Sequence, residues 1–156
     1  MKRFLLWLSS AAVFVGAFGG GTQASAAQAS ATMSVRFLSA TGPYTVSTHG
    51  VITFHVQVSG VTLKFKAIGK RPVSGHGHLQ YYLDSIPSDA YKRADLQHNF
   101  LGAVATPIYI FHLKYSLVKI KPGKHRFIAA LAQDNNVLYH VPTASVTVTV
   151  KPPAPH

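Results

Sequence analysis

The sequence predicts an all-β chain: an immunoglobulin-like antiparallel β-sandwich of about seven strands, with a closed antiparallel barrel as the rival architecture. Three observations carry this. Short runs rich in Val, Ile, Thr and aromatic residues recur every 8 to 20 residues or so, with Gly, Pro or Asn clusters between them. No stretch after residue 32 keeps an apolar period of about 3.6 residues, so the helices that a parallel α/β sheet requires are missing. Beyond an N-terminal leader, about 130 residues remain, enough for one domain with its own core.

The leader covers residues 1–27. Lys2 and Arg3 form its positive start, and Phe4 to Phe18 is apolar apart from Ser9, Ser10 and Gly16. Ala24-Ser25-Ala26 and Ala27-Gln28-Ala29 offer small-residue cleavage sites, so the segment reads as an export signal. Its apolar core is about 15 residues, short of the roughly 20 that span a bilayer, so no stable membrane span is expected after cleavage. The expected location is secreted, extracellular or periplasmic. The chain has no Cys, hence no lipid-attachment thiol and no disulfide.

Residues 28–32 form a polar, flexible lead-in, and the sandwich spans 33–150. Ser34 to Ser39 alternates and opens it, and Thr41-Gly42-Pro43 is a turn. Val51 to Ser59 is the clearest strand, with Ile52, Phe54, Val56 and Val58 on one face and His55 on the other. Val61 to Ile68 continues as a strand, placing Lys64 and Lys66 opposite Leu63 and Phe65. Gly69 to Gly75 is a basic loop, and Gly77 to Ser85 is a strand. Ile86 to Phe100 is a long connection with one helical turn around Ala90 to Leu96. Pro107 to Tyr115 is a strand with Tyr109, Phe111 and Leu113 on one face. Leu117 to Ile120 is a short strand that meets the turn at Pro122 and Gly123. His125 to Gln133 and Ala144 to Val150 complete the set, and residues 151–156 are a Pro-rich tail.

Charge narrows the partners. The chain has 15 Lys and Arg against Asp84, Asp89, Asp95 and Asp134, with no Glu. Without Lys2 and Arg3, 13 basic and four acidic residues remain, a net charge of +9 with His neutral. One reading is an anionic envelope partner such as a cell-wall polymer. The other is adaptation to an acidic exterior, where carboxylates protonate and the nine His residues charge. No basic run of five residues appears, and no strand face interleaves aromatic and basic residues, so nucleic acid is not an expected partner.

Few residues point to chemistry. There is no Cys nucleophile and no Gly-x-Ser-x-Gly elbow, and four Asp without Glu offer little for a paired acid–base site. No catalytic residue is assigned. His76 and His78 stand two apart in an extended segment, so their side chains share a face. In this sandwich their strand runs antiparallel to the one that starts at His125. That brings His76 and His78 opposite Gln133 and Asp134, with His140 on the next loop. His76, His78, Asp134 and His140 are therefore the candidate metal set, for Cu or Zn. The plainer reading makes both histidines polar residues at a loop mouth, with no cofactor. At the other end of the same strand pair Asp84 approaches His125, a structural pair. Tyr81, Tyr82, Tyr109, Tyr115 and Tyr139 read either as core and edge filling or as a sugar-stacking platform.

Two segments carry a resemblance: Gly75-His76-Gly77-His78-Leu79-Gln80-Tyr81-Tyr82-Leu83-Asp84, and Leu117 to Asn135 with its Pro122-Gly123-Lys124-His125 turn. Together they resemble a group of exported bacterial and archaeal domains of unknown function. That group has a Gly-His-x-His strand ending in Asp, then a Pro-Gly-x-His turn. The resemblance implies an immunoglobulin-like fold over Met33 to Val150. It also implies a His after Asp134, where this chain has Asn135 and Asn136. The expected function is a non-catalytic binding or scaffolding module of the cell envelope, and the alternative is a metal-binding protein using His76 and His78.

Overall fold

The computed structural model describes residues 32–38, 44–94, 96 and 98–153. The leader, most of the lead-in, the Thr41–Pro43 turn, Asp95 and the last three tail residues lie outside them. Among the described residues nine strands form, two more than expected: β1 (Ser34–Phe37), β2 (Tyr44–Ser47), β3 (Val51–Ser59), β4 (Thr62–Leu63), β5 (His76–Leu83), β6 (Phe100–Val104), β7 (Ile108–His112), β8 (Gly123–Ala132) and β9 (Ala144–Lys151). They make two layers. One sheet has the order β1-β3-β7. The other runs β2-β9-β8-β5, and β4 and β6 share the far edge of β5. The first two strands divide between the layers, and β5, β8 and β9 form the centre of the larger one. This is the order of an immunoglobulin-like sandwich.

The pairing is antiparallel except at two short contacts. β2 lies parallel to β9, with Tyr44 opposite Val148, and β4 lies parallel to β5, with Thr62 opposite His76. Neither contact was expected, because each strand is too short to show a period. The segment Val61 to Ile68 departs most from its reading. After Leu63 the edge of β5 is taken by β6, which pairs from Leu79 onward. With no partner left, the chain turns away as a 3-10 turn, Phe65–Ala67. Phe65 is thereby 74% exposed instead of facing the core. Leu117 to Ile120 forms no strand, and the helical turn of the long connection is a 3-10 turn at Ser88–Tyr91, ahead of the expected place.

The core between the layers is aromatic. Phe54 of β3 sits at its centre, 5.3 Å from the ring of Phe127, 5.5 Å from Tyr81 and 5.7 Å from Phe37. Leu79, Leu131, Val56 and Val148 close around them, all nearly or fully buried. Each such side chain contributes about 1.5 to 3 kcal/mol by leaving water. Tyr81 and Tyr109 lie 4.5 Å apart, ring to ring. Burial pushes the Tyr109 hydroxyl up to about 12, and burial, helped by Tyr109, pushes Tyr81 higher still. The Tyr109 hydroxyl donates to the Leu101 carbonyl at 2.9 Å. The Tyr81 hydroxyl is buried with no hydrogen-bond partner among the described residues. Leu101 is an extra residue in β6, because Tyr81 pairs with Gly102 and Tyr82 with Phe100. The Tyr109 hydroxyl lies so close to Gly102 that a Cβ there would collide with it.

Two substitutions should therefore shift stability in opposite directions. Tyr81→Phe removes an unsatisfied hydroxyl and should leave stability unchanged or raise it by about 1 kcal/mol. Gly102→Ala displaces the Tyr109 hydroxyl and should cost about 1 to 3 kcal/mol. Urea unfolding of both variants checks the pair, and a destabilised Tyr81→Phe would show that this hydroxyl has a partner.

Candidate functional site

Strand β5 is covered on both faces. Leu79, Tyr81 and Leu83 enter the main core. The alternate residues, His76, His78, Gln80 and Tyr82, point to the other face of the large sheet. There a second apolar cluster forms from Tyr82, Ile128, Ala130, Ala132, Ala90 and Leu138. Small alanines on β8 let the cover come close. The cover is the chain after β8, which folds back on the sheet. Gln133 N–H donates to Val137 O at 2.8 Å, Tyr139 N–H to Leu131 O at 2.9 Å, and Leu138 N–H to Ala90 O at 2.9 Å. Asn136 takes a left-handed φ of 68° at the tip of this return, a conformation Asn tolerates.

The polar row of β5 is bonded under that cover except at His78 Nδ1, which has no hydrogen-bond partner among the described residues. The Tyr82 hydroxyl donates to Gln80 Oε1 at 2.6 Å. The Gln80 amide nitrogen, thus oriented, reaches the Asn136 carbonyl at 3.3 Å, Asn136 Oδ1 at 3.2 Å and His78 Nε2 at 3.2 Å. With the amide nitrogen facing it, Nε2 of His78 is the acceptor, which places the proton of the neutral ring on the buried, unpartnered Nδ1. His78 is fully buried, and burial lowers its pKa below 6.5 against the opposing pull of Asn136 and Asp134.

The Gly-His-Gly-His run has a backbone reason. Gly75 takes a left-handed φ of 73° at the turn into β5. A Cβ on Gly77 would collide with the Ala132 carbonyl and press on Val61 and Tyr139. His76 and Asp134 meet across the β5–β8 pair as the antiparallel register requires, with Nδ1 4.0 Å from Oδ2. Asp134 Oδ2 also accepts from Val73 N–H at 3.1 Å. Asp134 is fully buried, and its Oδ1 has no hydrogen-bond partner among the described residues.

The four residues of the candidate metal set are not assembled. His78 is sealed under the return loop with Nε2 engaged. His140 is exposed, its ring stacked on Tyr91 at 5.1 Å. Among the described residues no group of three or more His and Asp is placed to hold a metal ion. The residues as arranged do not fit such a centre. At the far end of β5, Asp84 and His125 do meet: Nδ1 lies 2.9 Å from Asp84 Oδ2, and Nε2 lies 2.8 Å from the Lys121 carbonyl oxygen. Arg126 N–H donates to Asp84 Oδ1 at 2.8 Å. This clamp holds the start of β8 and the turn at Pro122 and Gly123. The five tyrosines do not share one outward face, although Tyr115 is exposed. Tyr81 and Tyr82 are fully buried, and Tyr139 donates inward to the His76 carbonyl at 2.7 Å.

What the sequence reading missed is a surface cleft of about 560 Å³ beside the His76–Asp134 pair. Lys64, Lys66, Lys70 and Arg71 line it with Leu63, Phe65, Ala67 and Val73. Its signal was present in the run Lys64-Phe65-Lys66, but local alternation placed Phe65 inside. A second cleft of about 610 Å³, lined by Arg36, Leu38, Val56 and Pro107 among others, is mostly apolar.

No protein-family model matches this chain, and no curated protein sequence matches it. Among solved structures it is similar to a fibronectin(III)-like module of Clostridium thermocellum CbhA, at 12% identity and a TM-score of 0.41, over 76% of this chain and 98% of that one.

His78 predicts a pH dependence. Its pKa is lowered in the folded state, so the unfolded chain binds the proton more tightly. Stability should therefore be full above about pH 6.5 and should decline as the pH falls below it, by at most about 1.4 kcal/mol per pH unit. His78→Gln keeps an acceptor for the Gln80 amide and should flatten that decline. Denaturation midpoints measured from about pH 7 to about pH 4.5 check this. Equal slopes in the two proteins would contradict it.

Proposed function

We propose that this protein is a non-catalytic exported module that binds anionic polymers of the cell envelope through its cationic surface. One observation supports the reading above the others. Each described aspartate is used internally: Asp84 clamps His125 and Arg126, Asp89 pairs with Arg93, and Asp134 is buried. The exposed cations Lys64, Lys66, Lys70, Arg71, Lys114, Lys119, Lys121 and Lys124 thus have no carboxylate within 4.0 Å among the described residues. Their field is left for a partner.

The leader supports an extracytoplasmic location, and no helix among the described residues is long and apolar enough to cross a membrane. A non-catalytic role is supported by the state of the His–Asp pairs. One is a clamp that holds a turn, and the other has its acid under cover, so neither presents a base and a nucleophile to a substrate.

Binding to bacterial cell-wall sacculi that carry their anionic polymers tests the reading. The mature protein should sediment with them at low salt and be released as salt shortens the screening length from about 10 Å at 0.1 M to about 3 Å at 1 M. Sacculi stripped of those polymers should retain far less. Failure to sediment at low salt, or retention indifferent to salt, contradicts the proposal.

A further inference from the structure

The geometry points to the Lys64–Val73 cleft as the seat of one sugar unit of an anionic glycan, with the ring against Phe65 and its carboxylate or phosphate groups at the cationic rim. This rests on the envelope-binding reading above and adds the site and the ligand class. Three features of the cleft lead to it. The rim carries Lys64, Lys66, Lys70 and Arg71 within eight residues of chain, all exposed. Phe65 stands 74% exposed between two of them, on a 3-10 turn that the β5 edge forces outward. Under a mostly apolar lining lies one polar pair: His76, whose side chain is 35% exposed, beside the fully buried Asp134 with its unpartnered Oδ1.

Each feature selects a part of the ligand. Cations at the rim take anions. A carboxylate beneath the floor opposes an anion seated deep, so the charged groups of the ligand belong outside and its hydroxyls inside, where His76 offers a ring nitrogen. An exposed phenyl face covers the C–H face of a sugar ring. A bare phosphate would leave Phe65 unused, and an acyl chain would leave His76 and Asp134 without a polar partner beneath it. Single-stranded nucleic acid is usually stacked on several aromatic rings in series, and this cleft has one. The cleft is also built to keep its shape. Asp134 Oδ2 holds Val73 N–H, the Asp134 carbonyl accepts from Gly69 N–H at 2.5 Å, and Lys70 N–H donates to Ala67 O at 2.9 Å. The loop that bears the cations is thus fastened to the end of β8.

Calorimetric titration of the mature protein with an oligogalacturonate, a phosphorylated oligomannose, neutral cellohexaose, phosphatidylglycerol vesicles and oligo(dT) tests this. At least one of the two anionic glycans should bind, weakening with salt, and cellohexaose should bind far less. Phe65→Ala should weaken that binding about tenfold. Lys66→Gln with Arg71→Gln should weaken it further and reduce its salt dependence. All these residues are exposed, so the variants should fold, and circular dichroism checks that. Leu117→Ala, at a fully exposed apolar residue outside the cleft, should change nothing. Binding of neither glycan, or stronger binding of vesicles or oligo(dT), overturns the assignment, as does Phe65→Ala with wild-type affinity. If the cleft variants still sediment with wall sacculi like wild type, the cleft assignment falls and the envelope reading stands. If wild type itself does not sediment, the envelope reading falls.

Discussion

The structure depends on one strand that has no solvent face. β5 enters the aromatic core with Leu79, Tyr81 and Leu83, and carries His78, Gln80 and Tyr82 on the side that a sandwich usually leaves wet. Burying polar groups is costly unless they are hydrogen-bonded. Gln80 bonds Tyr82 and His78 within the row, the return loop after β8 bonds Gln80 through Asn136, and Leu138 and Ala90 close the apolar part. Much else follows from this cover. Gly77 must lack a side chain because the Ala132 carbonyl approaches it. Asp134 must sit at the root of the loop, where it also fastens Val73. The cleft beside it takes its floor from the same residues.

The second consequence is electrostatic. With four acids in the chain, each described one is spent on architecture. Asp84 holds a turn against β8, Asp89 pairs along its own 3-10 turn, and Asp134 anchors a loop. A protein built this way leaves its exposed lysines without carboxylate partners among the described residues.

Much of the frame was legible from residues alone. Val51–Ser59 announces itself because nine residues alternate without a break, and the interior faces of β3 and β7 follow from period two. The meeting of His76 with Asp134, and of Asp84 with His125, follows from pairing two long strands antiparallel. What stayed hidden was decided at a distance. β2 has four residues and pairs only with the far end of the chain. β6 is interrupted by Gly102 and its bulge. Phe65 alternates correctly for a strand, yet β6 occupies the edge it would need. His78 and Tyr82 look like an outer row until the return loop covers them, and that same loop carries His140 away to Tyr91. The cleft was invisible for the same reason: its cations are local, but its floor joins His76, at the start of β5, to Asp134, 61 residues beyond Val73.

The most direct test of the covered strand is the nitrogen-resolved NMR spectrum of the histidine rings. If β5 lies under the return loop as described, His78 shows a slowly exchanging proton on Nδ1 and an Nε2 shift typical of a hydrogen-bond acceptor at neutral pH. A His78 ring proton that exchanges with water as fast as those of the exposed histidines would contradict the cover and what is built on it.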